Sequence, residues 1–319
     1  MIDVFLKTLP FFALVALGYG AARSRFFTAE ATAYLTKFVF YFALSAMLFR
    51  FAANLSFWDV VQPRPMLAYL GATLAVYLLA SAAGVFRRIG VAQAAIEAQC
   101  AVIGNVGFLG VPMLALLLGE GAVGPIMMIL AVDLIVFGSL AVILITGSRH
   151  GKVTSATLRT VGIGLVSNPM IVSIALGFSW AALEWPIPAP MNEFLAILGG
   201  AATPGALFAI GASLAGKSAE RLSVAAWLSF CKLVLHPAAV AFMVLIVMPV
   251  DVYTAGVMIA SAALPVAGNV YMIAQHYGVA PQRASASILV STVISVVTVS
   301  VVIAWIVAGG AVVSPTAAG

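Results

Sequence analysis

Two short stretches of this chain combine amide side chains with residues that interrupt helices. The first reads IGNVGFLGVPML and contains Gly104, Asn105, Gly107, Gly110 and Pro112. The second reads AALPVAGNVYMIAQHYG and contains Pro265, Gly268 and Asn269. Proline removes a backbone donor and clashes with the preceding turn, and glycine loosens the chain, so both stretches are expected to break a helix. A broken helix presents N–H groups at its new N-terminus, where partial positive charge suits an anion. Asn105 and Asn269 add amide donors for a carboxylate. The expected binding site is therefore Asn105, Pro112, Pro265 and Asn269, with Gly104 and Gly268 beside them. The competing reading is that glycine and proline are common in membrane helices and that both asparagines join neighbouring helices.

Three ionisable residues fall deep inside apolar runs: Asp133, Lys232 and His236. A charge at the centre of a bilayer costs at least about 2.5–3.5 kcal/mol, so each should face protein or a wet cavity. Lys232 and His236 are four apart and share a helix face. Asp133 and Lys232 lie at similar depths, which allows a buried ion pair. They could relay protons, replace a bound cation, or simply fix helix packing. Asn168-Pro169 and Thr203-Pro204 are expected to kink their helices, with Asn168 a supporting residue. Gln93, Glu97 and Gln99 give one run a polar face, either a cavity wall or an interfacial stripe.

Other chemistry is poorly served. Neither H-E-x-x-H nor G-x-S-x-G occurs, and three scattered histidines make no zinc site, so an enzyme is not expected. No cofactor or metal is expected. Cys100 and Cys231 both fall inside apolar runs and lack metal-ligand spacing. The net charge of +5 finds no basic patch interleaved with aromatics, which argues against nucleic acid.

The elements that must hold these residues are set by composition. The chain of 319 residues is 64% hydrophobic and 8% charged, with mean hydropathy +1.17. No soluble domain of this length hides so much apolar surface. The expected class is an all-α membrane protein with ten transmembrane helices, at about 2–22, 31–53, 64–87, 91–118, 121–147, 155–180, 190–215, 221–248, 252–277 and 283–308. The first run is read as a permanent helix rather than a leader.

Basic residues collect in the odd-numbered loops: Arg23 and Arg25; Arg87 and Arg88; Arg149, Lys152 and Arg159; Lys217 and Arg221; Arg283. On the other side fall Lys7, Arg50 and Arg64, accompanied by Asp3, Asp59, Glu120, Glu184, Glu193 and Asp251. Odd loops are therefore expected in the cytoplasm, with both termini outside the inner membrane. Sliding the chain by 159 positions lays Pro10 over Pro169, Leu17-Gly18 over Leu176-Gly177, Leu48-Phe49 over Leu207-Phe208 and Gly119 over Gly278. This predicts a 5+5 repeat, 1–150 and 151–319. Five being odd, the halves are inverted, with broken helices four and nine crossing near the midplane.

These motifs resemble the auxin efflux carrier family, which includes the PIN-type plant carriers and bacterial carriers assigned to malonate. The resemblance spans the chain and rests on Asn105 with Pro112, Leu264-Pro265 with Ala274 and Tyr277, Asn168-Pro169, Lys232 with Pro237, and Pro204 before Leu207-Phe208. It implies a crossover between a scaffold of helices one, two, six and seven and a moving transport part. It further implies transport of small organic anions, often by a homodimer in the bilayer. Ser45 stands where bacterial members keep a proline, and Asn269 where the plant pattern is apolar. The expected function is a secondary carrier for a malonate- or auxin-like carboxylate, working by alternating access. The alternative is a sodium-coupled anion symporter of the bile-acid type, and a receptor or anchor is the rival without transport.

Overall fold

The computed structural model describes residues 2–55, 62–150, 155–216 and 222–308. Asp59, Lys152, Lys217 and Arg221 of the charge argument lie outside the described residues. Among those described, the secondary structure is helical, apart from one isolated antiparallel bridge between Gly104 and Val266.

In chain order the helices are α1 (Ile2–Arg23), α2 (Ala29–Ala53), α3 (Pro63–Phe86), α4 (Val91–Val102), α5 (Val106–Leu118), α6 (Glu120–Arg149) and α7 (Ser155–Val166). Then follow α8 (Pro169–Ala182), α9 (Ala189–Leu214), α10 (Leu222–Val247), α11 (Val252–Ala262), α12 (Gly268–His276) and α13 (Pro281–Ala308). Their starts carry ordinary signals. Thr28 caps α2 by accepting from Ala31 N at 3.1 Å, and Asp251 caps α11 by accepting from Thr254 N at 2.8 Å. Pro63 opens α3, where its missing N–H costs nothing.

Six helices are long and apolar enough to cross a bilayer: α2, α3, α6, α9, α10 and α13. The pair α7 and α8 is apolar and long enough together for a seventh span if taken as one, with a bend of 65° between them. The bend falls at Asn168-Pro169, as expected. Thr203-Pro204 falls in the first turn after an interruption at Ala201, and α9 continues beyond it to Leu214. The expected fourth and ninth spans each divide into two shorter helices, α4 with α5 and α11 with α12.

Two seams pack the interior closely. α1 lies on α9, where a Cβ built on Gly18 would sit 2.1 Å from the Phe208 carbonyl oxygen. α8 lies on α2, where a Cβ on Gly177 would sit 2.7 Å from the Phe49 carbonyl oxygen. No side chain fits either position, so glycine allows the backbones to touch.

Polar contacts sort the loops onto two faces. Glu97 is ion-paired with both Arg87 and Arg283, and Arg149 donates to the Tyr277 carbonyl. These join the loops around α3–α4, α6–α7 and α12–α13 on one face. On the other, Arg50 donates to Asn192 Oδ1 at 2.9 Å, and the Tyr253 hydroxyl donates to the Leu118 carbonyl at 3.0 Å.

Candidate functional site

The two broken helices meet through their main chains. Asn105 N donates to the Pro265 carbonyl at 2.8 Å, and Ala267 N donates to the Ile103 carbonyl at 3.0 Å. Val266 N donates to Ser291 Oγ at 3.1 Å. The interruptions thus satisfy one another, which is how irregular backbone persists inside an apolar interior. Beyond the junction α5 begins with a π-helical turn over Val106–Gly110, in which Gly110 N reaches back to the Asn105 carbonyl at 2.9 Å. The N-terminal turns of α5 and α12 both start at this junction. Val106 N donates to the Gly104 carbonyl at 2.7 Å and Val270 N to the Ala267 carbonyl at 3.3 Å, and the first turn of a helix leaves N–H groups without intrahelical acceptors.

Two cavities adjoin the junction. The smaller, about 20 Å³, is walled by Gly104, Asn105, Gly107, Phe108, Asp133 and Asn269, among others. That is room for one water or a single carboxylate oxygen. The larger, about 240 Å³, shares Asp133, Leu134, Met170 and Asn269 with it and extends to Thr160, Val161 and Tyr277. It therefore widens toward the face that carries Arg149 and the α12–α13 loop. One wall comes from α2, α7 and α8 (Phe40, Leu165, Asn168, Ile171), the other from α4, α6 and α12 (Gln99, Val142, Met272, Ile273). The volume lies below the usual 300–1,000 Å³ of small-molecule pockets, so it suits a compact ligand.

Three acceptor atoms around the smaller cavity lack hydrogen-bond partners among the described residues: Asn105 Oδ1, Asn269 Oδ1 and Asp133 Oδ2. Buried polar atoms are normally paired, so such a cluster marks a place for a ligand or water. Amide rotation exchanges oxygen and nitrogen, so each asparagine can offer either end. Asp133 sits on a π-helical turn of α6, Val132–Phe137, and is 4% exposed. Tyr69 of α3 donates to its Oδ1 at 3.0 Å.

Lys232 and His236 lie elsewhere. Lys232 is fully buried on a π-helical turn of α10 and donates to the Ala262 carbonyl at the end of α11. Its Nζ also lies 3.1 Å from His236 Nδ1, and His236 Nε2 lies 3.0 Å from Thr73 Oγ1. With the lysine donating, Nδ1 accepts and Nε2 carries the proton toward Thr73. The expected ion pair between Asp133 and Lys232 is therefore absent. Equal depth does not fix the direction in which a side chain leaves its helix, and each found a different partner. Lys232 still underlies the junction, since a Cβ on Gly104 would lie 3.3 Å from its Nζ.

The structure thus gathers Gly104, Asn105, Asp133, Asn168 and Asn269 at the cavities, and leaves Pro112, Pro265, Gly268, Lys232 and His236 out of their walls. Pro265 contributes its carbonyl to the junction. Pro112 opens the α-helical part of α5, and Gly268 is the first residue of α12. Asn168 both caps α8, accepting from Met170 N at 3.0 Å, and lines the larger cavity. Glu97 is outside the walls of these two cavities, its carboxylate buried between Arg87 and Arg283. Gln99 does face the cavity, held by donation to the Phe137 carbonyl at 2.5 Å. Tyr69 and Thr73 were missed from sequence. Their spacing with Tyr77, four and four, was the available sign of one polar stripe on α3.

Residues 3–303 match the family model described as "Membrane transport protein". The chain is 33% identical over 296 residues to a protein of Rhizobium meliloti (strain 1021) described as "Putative malonate transporter", covering 92% of each chain. Both the family and this relative are transporters, not enzymes.

Proposed function

Since the chain belongs to the membrane transport protein family, we propose that it is a secondary carrier for a small organic anion, malonate or a similar carboxylate. The observation that carries this reading is the junction itself: two half-helix N-termini, two asparagine amides and a compact cavity meet at one place. The half-helices supply partial positive charge without a counter-ion, and the amides supply oriented donors. Lys232, set behind Gly104, adds a fixed cation to the field. The relative's described substrate, malonate, fits the cavity's size and chemistry.

We further propose ten membrane-spanning segments in two inverted halves. Moving the helix ends by 159 residues brings Pro63–Phe86 over 222–245, beside Leu222–Val247, and Ala29–Ala53 over 188–212, beside Ala189–Leu214. Left-handed backbone recurs at the same offset, at Arg25 and Glu184 and at Gly119 and Gly278. The seams support the inversion most directly. Gly18 packs on Phe208 and Gly177 packs on Phe49, and each glycine and each phenylalanine is 159 residues from its counterpart. Reciprocal contacts of this kind are what a two-fold relation generates.

On this reading α1, α2, α7–α8 and α9 form a scaffold, the remaining helices move, and the cavity lies on the boundary between the two parts. The positively charged face is cytoplasmic, and the cavity opens toward it. Sodium coupling of the bile-acid type is disfavoured because Glu97 is already occupied by two arginines.

The test is uptake of labelled malonate, and separately of an indole acid, into proteoliposomes under proton and sodium gradients. Accumulation of malonate that is lost in Asn105→Ala is the expected result. Well-folded protein that moves neither anion under either gradient would overturn the carrier reading in favour of a receptor.

A further inference from the structure

Resting on that carrier reading, we infer that Asp133 is a proton-binding site, and that one proton enters the junction with each carboxylate that binds there.

The geometry makes the case. Among the described residues, the fully buried side-chain atoms without a partner around the smaller cavity are acceptors: Asp133 Oδ2, Asn105 Oδ1 and Asn269 Oδ1. A carboxylate ligand brings only further acceptors. Rotating both amides turns their nitrogens toward the ligand and satisfies part of it, but Asp133 Oδ2 has no such freedom, because Tyr69 holds its partner oxygen at 3.0 Å. Two carboxylates facing one another across about 20 Å³ cannot both stay ionised, and the usual resolution is one shared proton.

The charge balance agrees. Tyr69 from α3 donates to Asp133, and Lys232 from α10, held by the Ala262 carbonyl and His236, acts on it without contact. On α4, Glu97 is held by Arg87 and Arg283, and Cys100 is a buried thiol. From α12, Tyr277 reaches the cavity at its mouth, where Arg149 donates to its carbonyl. The residues of α2, α7 and α8 in the walls are not ionisable. Without ligand, the Asp133 carboxylate and the Lys232 ammonium balance. Each ionised carboxylate group that enters adds one negative charge to a buried site. A single proton offsets the group facing Asp133, and malonate's second carboxylate is left to the half-helix N-termini and the asparagine amides. A metal cation there would lie close to the Lys232 ammonium, and like charges several ångströms apart repel by a few kcal/mol even at an effective dielectric of about 20.

The position also gives the proton a path. Asp133 lines both cavities, so it is reached from the same face as the anion. Anion and proton are then carried together, and a proton gradient can drive accumulation.

The experiment is malonate binding to the purified full chain in detergent, measured calorimetrically in two buffers of different ionisation enthalpy at the same pH. Wild type should take up about one proton per malonate bound. Asp133→Asn should still bind malonate, with no proton uptake. Tyr69→Phe keeps the carboxylate and guards against a misfolded Asp133→Asn. It should retain the uptake, with the pH dependence of binding displaced. Malonate binding with no proton uptake in wild type, or binding that rises with sodium instead, would overturn the inference and leave the carrier reading standing. Uptake unchanged in Asp133→Asn would also overturn it. Folded wild type that binds no malonate would remove the anion reading itself.

Discussion

The seams and the junction teach opposite things about the two halves. In the proposed repeat the halves are interchangeable at the seams, where Gly18 meets Phe208 as Gly177 meets Phe49. At the junction they are not. Positions 159 residues apart pair Asn105 with Leu264, Asn269 with Gly110, Asp133 with Thr292, and Lys232 with Thr73. Helix packing needs only small residues against backbone, and that demand is the same in both halves. A ligand with a charged head needs donors on one side and a counter-charge on the other. The proposed repeat therefore shares its shape between the halves and divides its chemistry.

The contrast can be broken most directly at the seams. Gly18→Val and Gly177→Val should each destabilise the protein by about 3 kcal/mol or prevent its accumulation, because neither backbone contact can give way. Thermal unfolding in detergent should show comparable losses. A large loss at one seam only would break the equivalence. Next comes Lys232→Met, expected to cost about 2–3 kcal/mol by leaving His236 Nδ1 and the Ala262 carbonyl without their donor. Asp133 and Lys232 make no direct ion pair, but their opposite charges offset one another in a buried site, so adding Asp133→Asn should recover part of the loss and leave the part due to His236 Nδ1 and the Ala262 carbonyl. Strictly additive losses would mean that the two charges do not offset one another.

Binding sharpens the comparison further. Asn105→Ala should weaken malonate binding roughly 10-fold with an unchanged melting temperature. Its counterpart Leu264→Ala should do the reverse, lowering stability and sparing the binding groups. The smallest effect is expected for Thr73→Val, about 1 kcal/mol, since it removes one neutral bond to His236 and nothing from the cavities. Equal effects of Thr73→Val and Lys232→Met on melting would erase the distinction between those paired positions.

Much of this was legible in the sequence, and the limits have one cause. Runs of apolar residues give the long helices, and glycine and proline give the breaks at Asn105, Asn168 and Pro265. The two breaks fall near the midplane of their spans, and depth along the helices puts Asp133 and Lys232 near one level. Hydropathy carries no information on rotation about a helix axis. Hence Asp133 was set beside Lys232, when α6 turns it to Tyr69. Glu97 was read as a cavity wall or an interfacial stripe, when it turns to two arginines. The π-helical turns add to the difficulty, because one extra residue rotates everything beyond it. Pro112 and Pro265 were correctly placed at the breaks but assigned to the walls. Their effect is on the backbone, which the identity of a proline announces more plainly than any side-chain contact.

The junction is held by two amide-to-carbonyl bonds, Asn105 N to Pro265 O and Ala267 N to Ile103 O. Neither bond depends on which side chain its donor carries. Evolution can therefore exchange the amides at positions 105 and 269 without dismantling the crossing that presents them. In the proposed carrier, selectivity can then drift from one acid to another while the backbone junction stays as it was.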